Sequence, residues 1–336
     1  MRVLLVSNPT ARSGRNALRI AQARSELAKR GLEADFLATL PDGRTIGAVR
    51  EALDGGGYGV AVAMGGDGTF REVASAILES KGRDDVTLGM LPTGTANDQG
   101  KSFGLDAGDR ALKRNLDVLV AGATTRLDAG RFCVLDDDDR VARASWFFDS
   151  AGFGLSARIL RQRNVDRAWI QQNLPALGRV YRDQTVYAGA TLRVLTRALV
   201  GANLSARVVA DGVVHELPRL TDFIVKNTRI YGGAWVLDPT SRHDDGLFEI
   251  IPLRGRRDWL ERVILDIDGN PWREVVVRAL RLSRVPPIRA ARIEVSFVTS
   301  GTLDAQIDGE ETLATRRATI EVVPKAIRLI VPRAFA

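Results

Sequence analysis

The sequence predicts an α/β domain with a doubly wound parallel sheet, followed by a β-rich, largely antiparallel domain. In the first part of the chain, apolar segments of strand length alternate with segments of helical periodicity, which indicates consecutive β-α-β units. From about Thr124 the pattern changes to short strands with alternating polar and apolar residues. At 336 residues, 45% of them apolar, the chain can form two domains. We place the domains at 1–122 and 123–325.

The predicted elements of the first domain follow in regular order. Strands are expected at Val3–Ser7, Glu33–Leu40, Gly59–Met64 and Thr87–Leu91, and helices at Asn16–Lys29, Ile46–Leu53 and Phe70–Ser80. Parallel strands joined by helices have right-handed crossovers and bind ligands at the carboxyl ends of the strands. The loops after these strands are therefore the first places to look for a site.

The second domain is predicted to consist mainly of strands. They are expected at Arg126–Val134, Arg143–Phe148, Ser205–Ala210, Thr221–Lys226, Phe248–Pro252, Arg292–Phe297 and Thr319–Val323. A helical stretch at Ala168–Arg197, broken by Pro175 and Gly178, interrupts them. Asp136–Asp139 is expected to form a solvated hairpin tip.

Composition limits the possible partners. A net charge of +7 and a pI near 10 favour anionic partners such as nucleotides, acidic lipid surfaces or nucleic acid. One cysteine and two histidines exclude an internal disulfide and leave too few ligands for a zinc cluster. No apolar run approaches 18 residues, so we expect a cytoplasmic protein.

The most informative segment is Met64–Thr69, which reads M-G-G-D-G-T between an apolar strand and a helix. Glycines allow backbone N–H groups to approach a polyphosphate, and the helix N-terminus favours the same anion. Asp67 has the wrong charge for direct phosphate contact, so it is expected to act through Mg²⁺, water or a ribose hydroxyl. The alternative is a side chain that only stabilises the turn.

Two further loops follow strands of the same predicted sheet. Pro92–Asp98 leaves the fourth strand and Asn8–Arg15 leaves the first. Each could be an ordinary strand-to-helix turn, but three such loops at one sheet edge indicate a nucleotide site.

These motifs resemble the diacylglycerol kinase catalytic family, which includes sphingosine and ceramide kinases and soluble bacterial lipid kinases. The family's G-G-D-G-T corresponds to Gly65–Thr69, its P-x-G-T-x-N-D to Pro92–Asp98, and its N-terminal turn loosely to Asn8–Gly14. Downstream, Asn227–Gly233, Asp244–Leu247 and Asp308–Glu310 match its glycine-rich, D-D-G and D-G-E segments. The resemblance spans nearly the whole chain and implies an NAD kinase/diacylglycerol kinase-like fold in which residues 326–336 complete the first domain.

The resemblance also implies an ATP- and Mg²⁺-dependent lipid kinase and a role for each matching residue. Glu310 corresponds to the general base, while Asp67, Asp98 and Asp128 would organise magnesium and water. The implied nucleotide-binding residues are Asn8, Pro9, Thr10, Arg12, Thr39, Gly65, Gly66, Asp67, Gly68, Thr69, Glu72, Thr95 and Asn97. Asp245, with the backbone carbonyls of Arg242 and Leu247, could hold a second, structural Mg²⁺. Because Asp308-Gly309 and Asp245-Gly246 are also hairpin signals, a turn is the alternative at both places.

The implied acceptor is a lipid at a membrane surface, with diacylglycerol the leading candidate. Sphingoid bases, ceramide, monoacylglycerol and phosphatidylglycerol are left open, as is the choice between monomer and homodimer. The arginines that could form a basic face towards acidic phospholipid are those at 254, 256, 257, 273, 278, 281, 284, 289 and 292. A solvated face is the alternative.

Two other functions compete with this interpretation. NAD kinases share G-G-D-G-T but not the Pro92–Asp98 signature, and they phosphorylate a soluble hydroxyl. A non-catalytic nucleotide-binding protein would also fit the charge. A nucleic-acid partner is not expected, because the sequence lacks a helix-turn-helix, RNP aromatics and zinc spacing.

Overall fold

The structure is a computed structural model that describes residues 2–11, 15–173, 204–280, 286–299 and 301–336. The chain divides into two compact units, Met1–Ala129 with Pro324–Ala336, and Gly130–Val323. The division after Ala129 falls seven residues beyond the predicted boundary at 122. Strands β5 (Thr124–Leu135) and β15 (Arg317–Ile330) both run across the divisions between the units.

The first unit alternates strands and helices, as predicted. Its other elements are β1 (Arg2–Ser7), α1 (Arg15–Lys29), β2 (Glu33–Ala38), α2 (Arg44–Asp54), β3 (Tyr58–Gly65), α3 (Asp67–Glu79), β4 (Thr87–Pro92), α4 (Asp98–Ser102) and α5 (Asp109–Ala121). The strand order β15-β4-β3-β1-β2 is parallel throughout. The strands are apolar on both faces because helices cover both, which is the rule for parallel sheets.

One core cluster joins the sheet to α1 and α5. Val62 and Met64 on β3 pack there with Leu27 and Leu116 from the two helices. Ile330, at the end of β15, belongs to the same cluster, so the last segment of the chain completes the core of the first unit.

The second unit is antiparallel. Its other elements are β6 (Val141–Phe147), β7 (Ser150–Gly154), α6 (Leu155–Asn173), β8 (Leu204–Ala210), β9 (Val213–Lys226), β10 (Phe248–Arg254), α7 (Gly255–Leu265), α8 (Arg273–Ala279), β11 (Ile288–Ala290), β12 (Arg292–Val298), β13 (Leu303–Ile307) and β14 (Glu310–Thr315). The strand order is β14-β13-β7-β9-β8-β12-β15, with β10 also paired to β9. The predicted fold class is confirmed.

Several element bounds differ from prediction. Helix α3 begins at Asp67 rather than Phe70, because Gly66 takes the cap position and a carboxylate in the first turn suits the helix dipole. The helix predicted from Ala168 begins at Leu155, and its predicted part beyond Asn173 lies outside the described residues. The tip at Asp136–Asp139 does join the antiparallel strands β5 and β6.

Candidate functional site

Three loops leave the same edge of the parallel sheet. The register pairs Ser7 with Met64 and Gly65 with Pro92, so β1, β3 and β4 end side by side. The predicted convergence of the three loops follows from this register.

The loops after β3 and β4 are in backbone contact. The N–H of Thr93 donates to the Gly65 carbonyl at 2.8 Å. A Cβ on Gly94 would lie 2.5 Å from the Gly66 Cα, a distance that real Cβ atoms essentially never show. The close approach of the two turns therefore requires glycine at position 94, and a Cβ on Gly66, 3.3 Å from the Gly94 Cα, would also be tight. The cavity beside this contact is about 10 Å³, room for about one water, so a nucleotide would have to bind outside it.

Polar side chains of the two motifs hold the turns in place. Asn97 is left-handed (φ 53°) and clamps Gly94, since its Oδ1 accepts the Gly94 N–H at 2.9 Å and its Nδ2 donates to the Gly94 carbonyl at 2.8 Å. Asp67 accepts the Gln99 N–H at 3.1 Å. Asp67 thus makes one contact of the kind expected from a side chain that stabilises a turn.

The other predicted residues of these motifs have varied surroundings. Asp98 is buried in the first turn of α4, whereas Thr95 is exposed. Gly68, Thr69 and the half-buried Glu72 lie in the first turns of α3.

The loop after β1 is organised by an asparagine pair. Asn8 Oδ1 accepts the N–H of Thr10 at 2.9 Å and its hydroxyl at 2.8 Å. The buried Asn16, which sequence reasoning missed, donates to the Asn8 carbonyl at 2.6 Å. Thr39, after β2, donates its N–H to Ser7 at 3.0 Å, which places it at the same edge.

Pro9 is half-buried between Asn8 and Thr10. Arg12 lies outside the described residues.

In the second unit, the D-G-E motif is a hairpin turn. Asp308 (φ 48°) and Gly309 (φ 73°) are both left-handed and join β13 to β14. The buried carboxylate of Asp308 accepts three consecutive backbone N–H groups, those of Phe148 at 3.0 Å, Asp149 at 2.7 Å and Ser150 at 3.1 Å. Glu310, which follows Gly309, begins β14 and is exposed. The motif can therefore form a hairpin and still leave Glu310 available to act as a base. Asp308 fixes the turn, and Glu310 lies exposed at its end.

A buried ion pair lies beside this turn. Lys226 Nζ is 2.6 Å from Asp149 Oδ1 and also donates to the Ile230 carbonyl at 2.8 Å. Asn227 Nδ2 donates to the Phe148 carbonyl at 2.8 Å. The network joins the start of the Asn227–Gly233 segment to the D-G-E hairpin. Sequence reasoning missed Asp149 and Lys226, because neither lies in a motif with a local signal.

The predicted metal residues take different positions. Asp128 is fully buried and accepts the Lys325 N–H at 2.6 Å. Asp245 is exposed in a bend and accepts the Leu247 N–H at 3.1 Å, while the Arg242 guanidinium bonds Asp244 at 3.1 Å. Within the described residues, no group of three or more His, Cys, Asp or Glu could hold a metal ion. A Mg²⁺ ion bound by the described residues would therefore have one or two carboxylate ligands. Phosphate, carbonyl and water oxygens would supply its other ligands.

Glu249, close to the D-D-G bend, has an unusual carboxyl group. Its pKa is raised to about 7, chiefly because the group is buried in β10. The carboxylates of Asp238 and Asp245 also raise the pKa, whereas a hydrogen bond from Ser241 and the charge of Arg289 lower it. Ser241 Oγ donates to Glu249 Oε2 at 2.6 Å. Folding thus favours the protonated form of Glu249.

Glycine turns closed against each other at the carboxyl ends of a parallel sheet are typical of nucleotide-binding α/β proteins. Comparison with known protein families identifies the domain families to which the two parts of the chain are similar. Residues 2–132 match the diacylglycerol kinase catalytic domain, and residues 177–331 match the YegS C-terminal NAD kinase beta sandwich-like domain.

Individual relatives agree with these matches. A protein of Pseudomonas aeruginosa named "Probable lipid kinase YegS-like" is 30% identical over 334 residues, which cover 98% of this chain and 94% of that protein. A diacylglycerol kinase of Mycobacterium tuberculosis is 32% identical over 194 residues, 58% of this chain and 54% of that protein, about half its length. The chain belongs to the diacylglycerol kinase catalytic family, together with the YegS-like lipid kinases.

Solved structures show the same fold. The crystal structure of a diacylglycerol kinase from Bacillus anthracis str. Sterne superposes with a TM-score of 0.69 at 19% identity, covering 100% of this chain and 98% of that one. In the described part of this chain, no helix combines the length and apolar character needed to span a bilayer.

We expect Gly94→Ala to lower ATP affinity at least tenfold and to destabilise the protein by about 1–3 kcal/mol, because the new Cβ meets the Gly66 backbone. Isothermal titration calorimetry and urea unfolding measure the two effects. Gly47→Ala is the matched control, since nothing lies within 4 Å of its Cβ and alanine stabilises a helix interior by about 1 kcal/mol. Wild-type ATP affinity in Gly94→Ala would contradict the role of the contact.

Asp308→Ala should destabilise the protein by about 3 kcal/mol or more, because it leaves buried backbone N–H groups without their acceptor. Urea denaturation gives the value. Asp304→Ala, on the same hairpin, removes only a partly exposed pair with Arg161 and should cost less than about 1 kcal/mol. Equal losses in the two variants would show that the three N–H bonds contribute little.

The stability of the protein should fall as pH rises from about 4.5 towards 8, because the folded pKa of Glu249 lies near 7, above the ordinary 4.5. A shift of this size corresponds to at most about 3 kcal/mol. Glu249→Gln should remove most of this slope and be the more stable form at pH 8. Urea midpoints at pH 5 and pH 8 in metal-free buffer test this. An unchanged slope in the variant would refute it.

Proposed function

We propose that the protein is an ATP- and Mg²⁺-dependent lipid kinase that transfers the γ-phosphate of ATP to a lipid hydroxyl, with diacylglycerol as acceptor and phosphatidic acid as product. Membership of the lipid kinase family supports the reaction class. The observation that carries the proposal is the Gly66–Gly94 contact, which builds a rigid backbone surface for phosphate at the carboxyl ends of β3 and β4.

The first unit binds the nucleotide in this proposal. Backbone N–H groups around Gly65–Thr69 and the N-terminus of α3 receive phosphate oxygens. Asn8, Thr10 and Thr95 supply polar groups at the same edge of the sheet. The other residues proposed to line the nucleotide site are Pro9, Arg12, Thr39, Glu72 and Asn97.

Asp67 and Asp98 are the carboxylates proposed to hold Mg²⁺, which when bound neutralises charge on the transferring phosphate. Both lie in the first turns of helices that begin beside the Gly66–Gly94 contact, and hard oxygen donors suit this ion. Asp128, whose carboxylate anchors the Lys325 N–H, acts as a positioning residue. A second Mg²⁺ would be held by Asp245 and the carbonyls of Arg242 and Leu247, which would stabilise that bend.

Glu310 is proposed as the general base. Its carboxylate takes the proton from the lipid hydroxyl as that oxygen attacks the γ-phosphorus, the bond from phosphorus to the bridging β–γ oxygen breaks, and ADP leaves with that oxygen. The rigid Asp308 turn supports this role, because a base must be held within reach of one hydroxyl. We further propose that the reaction takes place in the cytoplasm at a membrane surface.

Glu310→Gln should lower kcat by at least a hundredfold while leaving the urea midpoint and ATP affinity unchanged, because the side chain is exposed and only its basicity is lost. The assay is transfer of ³²P from [γ-³²P]ATP, with Mg²⁺, to mixed micelles containing diacylglycerol. Glu311→Gln, at the adjacent exposed position, is the control and should keep near wild-type kcat.

Parallel reactions contain sphingoid base, ceramide, monoacylglycerol, phosphatidylglycerol or NAD as acceptor. Label in another lipid would replace diacylglycerol and keep the lipid kinase reaction. Label only in NAD would overturn it, and full activity in Glu310→Gln would exclude Glu310 as the base.

A further inference from the structure

Gln99, in the first turn of α4, carries a buried amide group that makes no hydrogen bond to the described residues. The residue is 2% exposed, and neither its Nε2 nor its Oε1 has a partner in the described part of the chain. Its backbone N–H, in contrast, donates to Asp67. Burying an amide without hydrogen bonds is costly, so a partner for this side chain is expected inside the protein.

The space for such a partner is the small cavity beside the Gly66–Gly94 contact. Gln99 lines this cavity together with Asp67, Gly65 and Gly66. The volume of about 10 Å³ has room for about one water and excludes a nucleotide. A buried water needs two to four polar partners, and the Gln99 amide, the Asp67 carboxylate and the backbone of the two glycines can supply them.

The hydrogen-bonding character of the two side chains also fits a bridging water. The Nε2 of an amide donates hydrogen bonds, whereas an ionised carboxylate only accepts them. Water does both, so one molecule can accept from Gln99 and donate to Asp67. The backbone N–H of Gln99 already donates to Asp67 Oδ1 at 3.1 Å. Two contacts from the same residue would restrain the rotation of the Asp67 carboxylate.

We propose that Gln99 is a positioning residue, which holds Asp67 through one buried water in the orientation that Mg²⁺ requires. Because Mg²⁺ takes a near-ideal octahedral geometry, the direction of a ligating carboxylate affects the affinity for the ion. Replacing a residue that orients a metal ligand typically costs about 10–100-fold in metal affinity or activity. The proposal rests on the role that Asp67 has in the proposed function.

A purely structural role of Gln99 leads to a different expectation. If the side chain only filled space beside the turns, methionine would replace it well, because the two side chains are similar in length and shape. The contact from the backbone N–H to Asp67 would remain in that variant. Gln99→Met therefore separates the amide group from both the packing and the backbone contact.

The experiment is isothermal titration calorimetry of the full chain with ATP, in Mg²⁺ and in EDTA, without lipid. The ratio of the two dissociation constants measures the coupling between Mg²⁺ and ATP. Gln99→Met should reduce this ratio by about tenfold or more, while the ATP affinity in EDTA stays at the wild-type value and the urea midpoint does not fall.

Two further variants accompany Gln99→Met. Gln99→Glu should keep the wild-type ratio at pH 6, because a carboxyl group buried beside Asp67 stays protonated and, like the amide, both donates and accepts. Gln22→Met makes the same substitution at an exposed position of α1 and is the matched control, with the wild-type ratio expected.

A high-resolution crystal structure tests the water directly. The wild-type protein should show one water between Gln99 and Asp67, and Gln99→Met should lack it. A direct contact between the two side chains without a water would overturn the proposal.

The titrations can overturn the proposal independently. An unchanged ratio in Gln99→Met would do so, and so would an equal loss of ATP affinity with and without Mg²⁺, which is the result of structural damage. A wild-type protein whose ATP affinity does not depend on Mg²⁺ would remove the role of Asp67 and the proposal with it. If the ratio falls as expected but no lipid is phosphorylated, the role of Gln99 stands and the lipid kinase reaction fails.

Discussion

The site depends first on the contact between two turns, because the backbones at Gly66 and Gly94 are too close for any side chain at position 94. This contact transmits the register of the parallel sheet to the loops, since Gly65 and Pro92 are paired neighbours in β3 and β4. Backbone N–H groups held in this way need no reorganisation when an anion binds, which is the property that phosphoryl transfer requires of a protein. Asn97 maintains the same turn from within its own loop.

In the second unit, a carboxylate rather than a glycine contact holds a turn in place. Asp308 satisfies three consecutive N–H groups at the start of β7 and thereby fixes the hairpin that presents Glu310. The adjacent pair of Lys226 and Asp149 is almost completely buried. Removing one partner of such a pair is strongly destabilising, so this pair constrains the position of the hairpin as well as contributing charge. Neighbouring residues of one motif thus differ, since Asp308 anchors the turn and Glu310, the base in the proposed function, is left exposed at its end.

Polar groups that look equivalent in sequence differ greatly in surroundings. Glu249 is buried and its pKa is raised to about 7, whereas Glu310 is exposed in a hairpin of the same unit. Among the arginines of residues 254–292, Arg273 forms an ion pair with the buried Asp266, whereas Arg278 is exposed to solvent. Burial and pairing, which arise only on folding, decide which charges are available to a ligand.

The sequence by itself determined the fold class, the order of strands and helices in the first unit, and the three loops at one sheet edge. These features arise from local periodicity and from glycines at close approaches, of the Thr69 side chain at Gly65 and of the Gly66 backbone at Gly94. Only the tertiary structure decided that Asp149 and Lys226 are paired and that Asp308 caps the start of β7. Each of these depends on segments far apart in the chain, and Asp308 is 160 residues from Phe148. Such contacts leave no local pattern, because the chain fold alone brings the partners together.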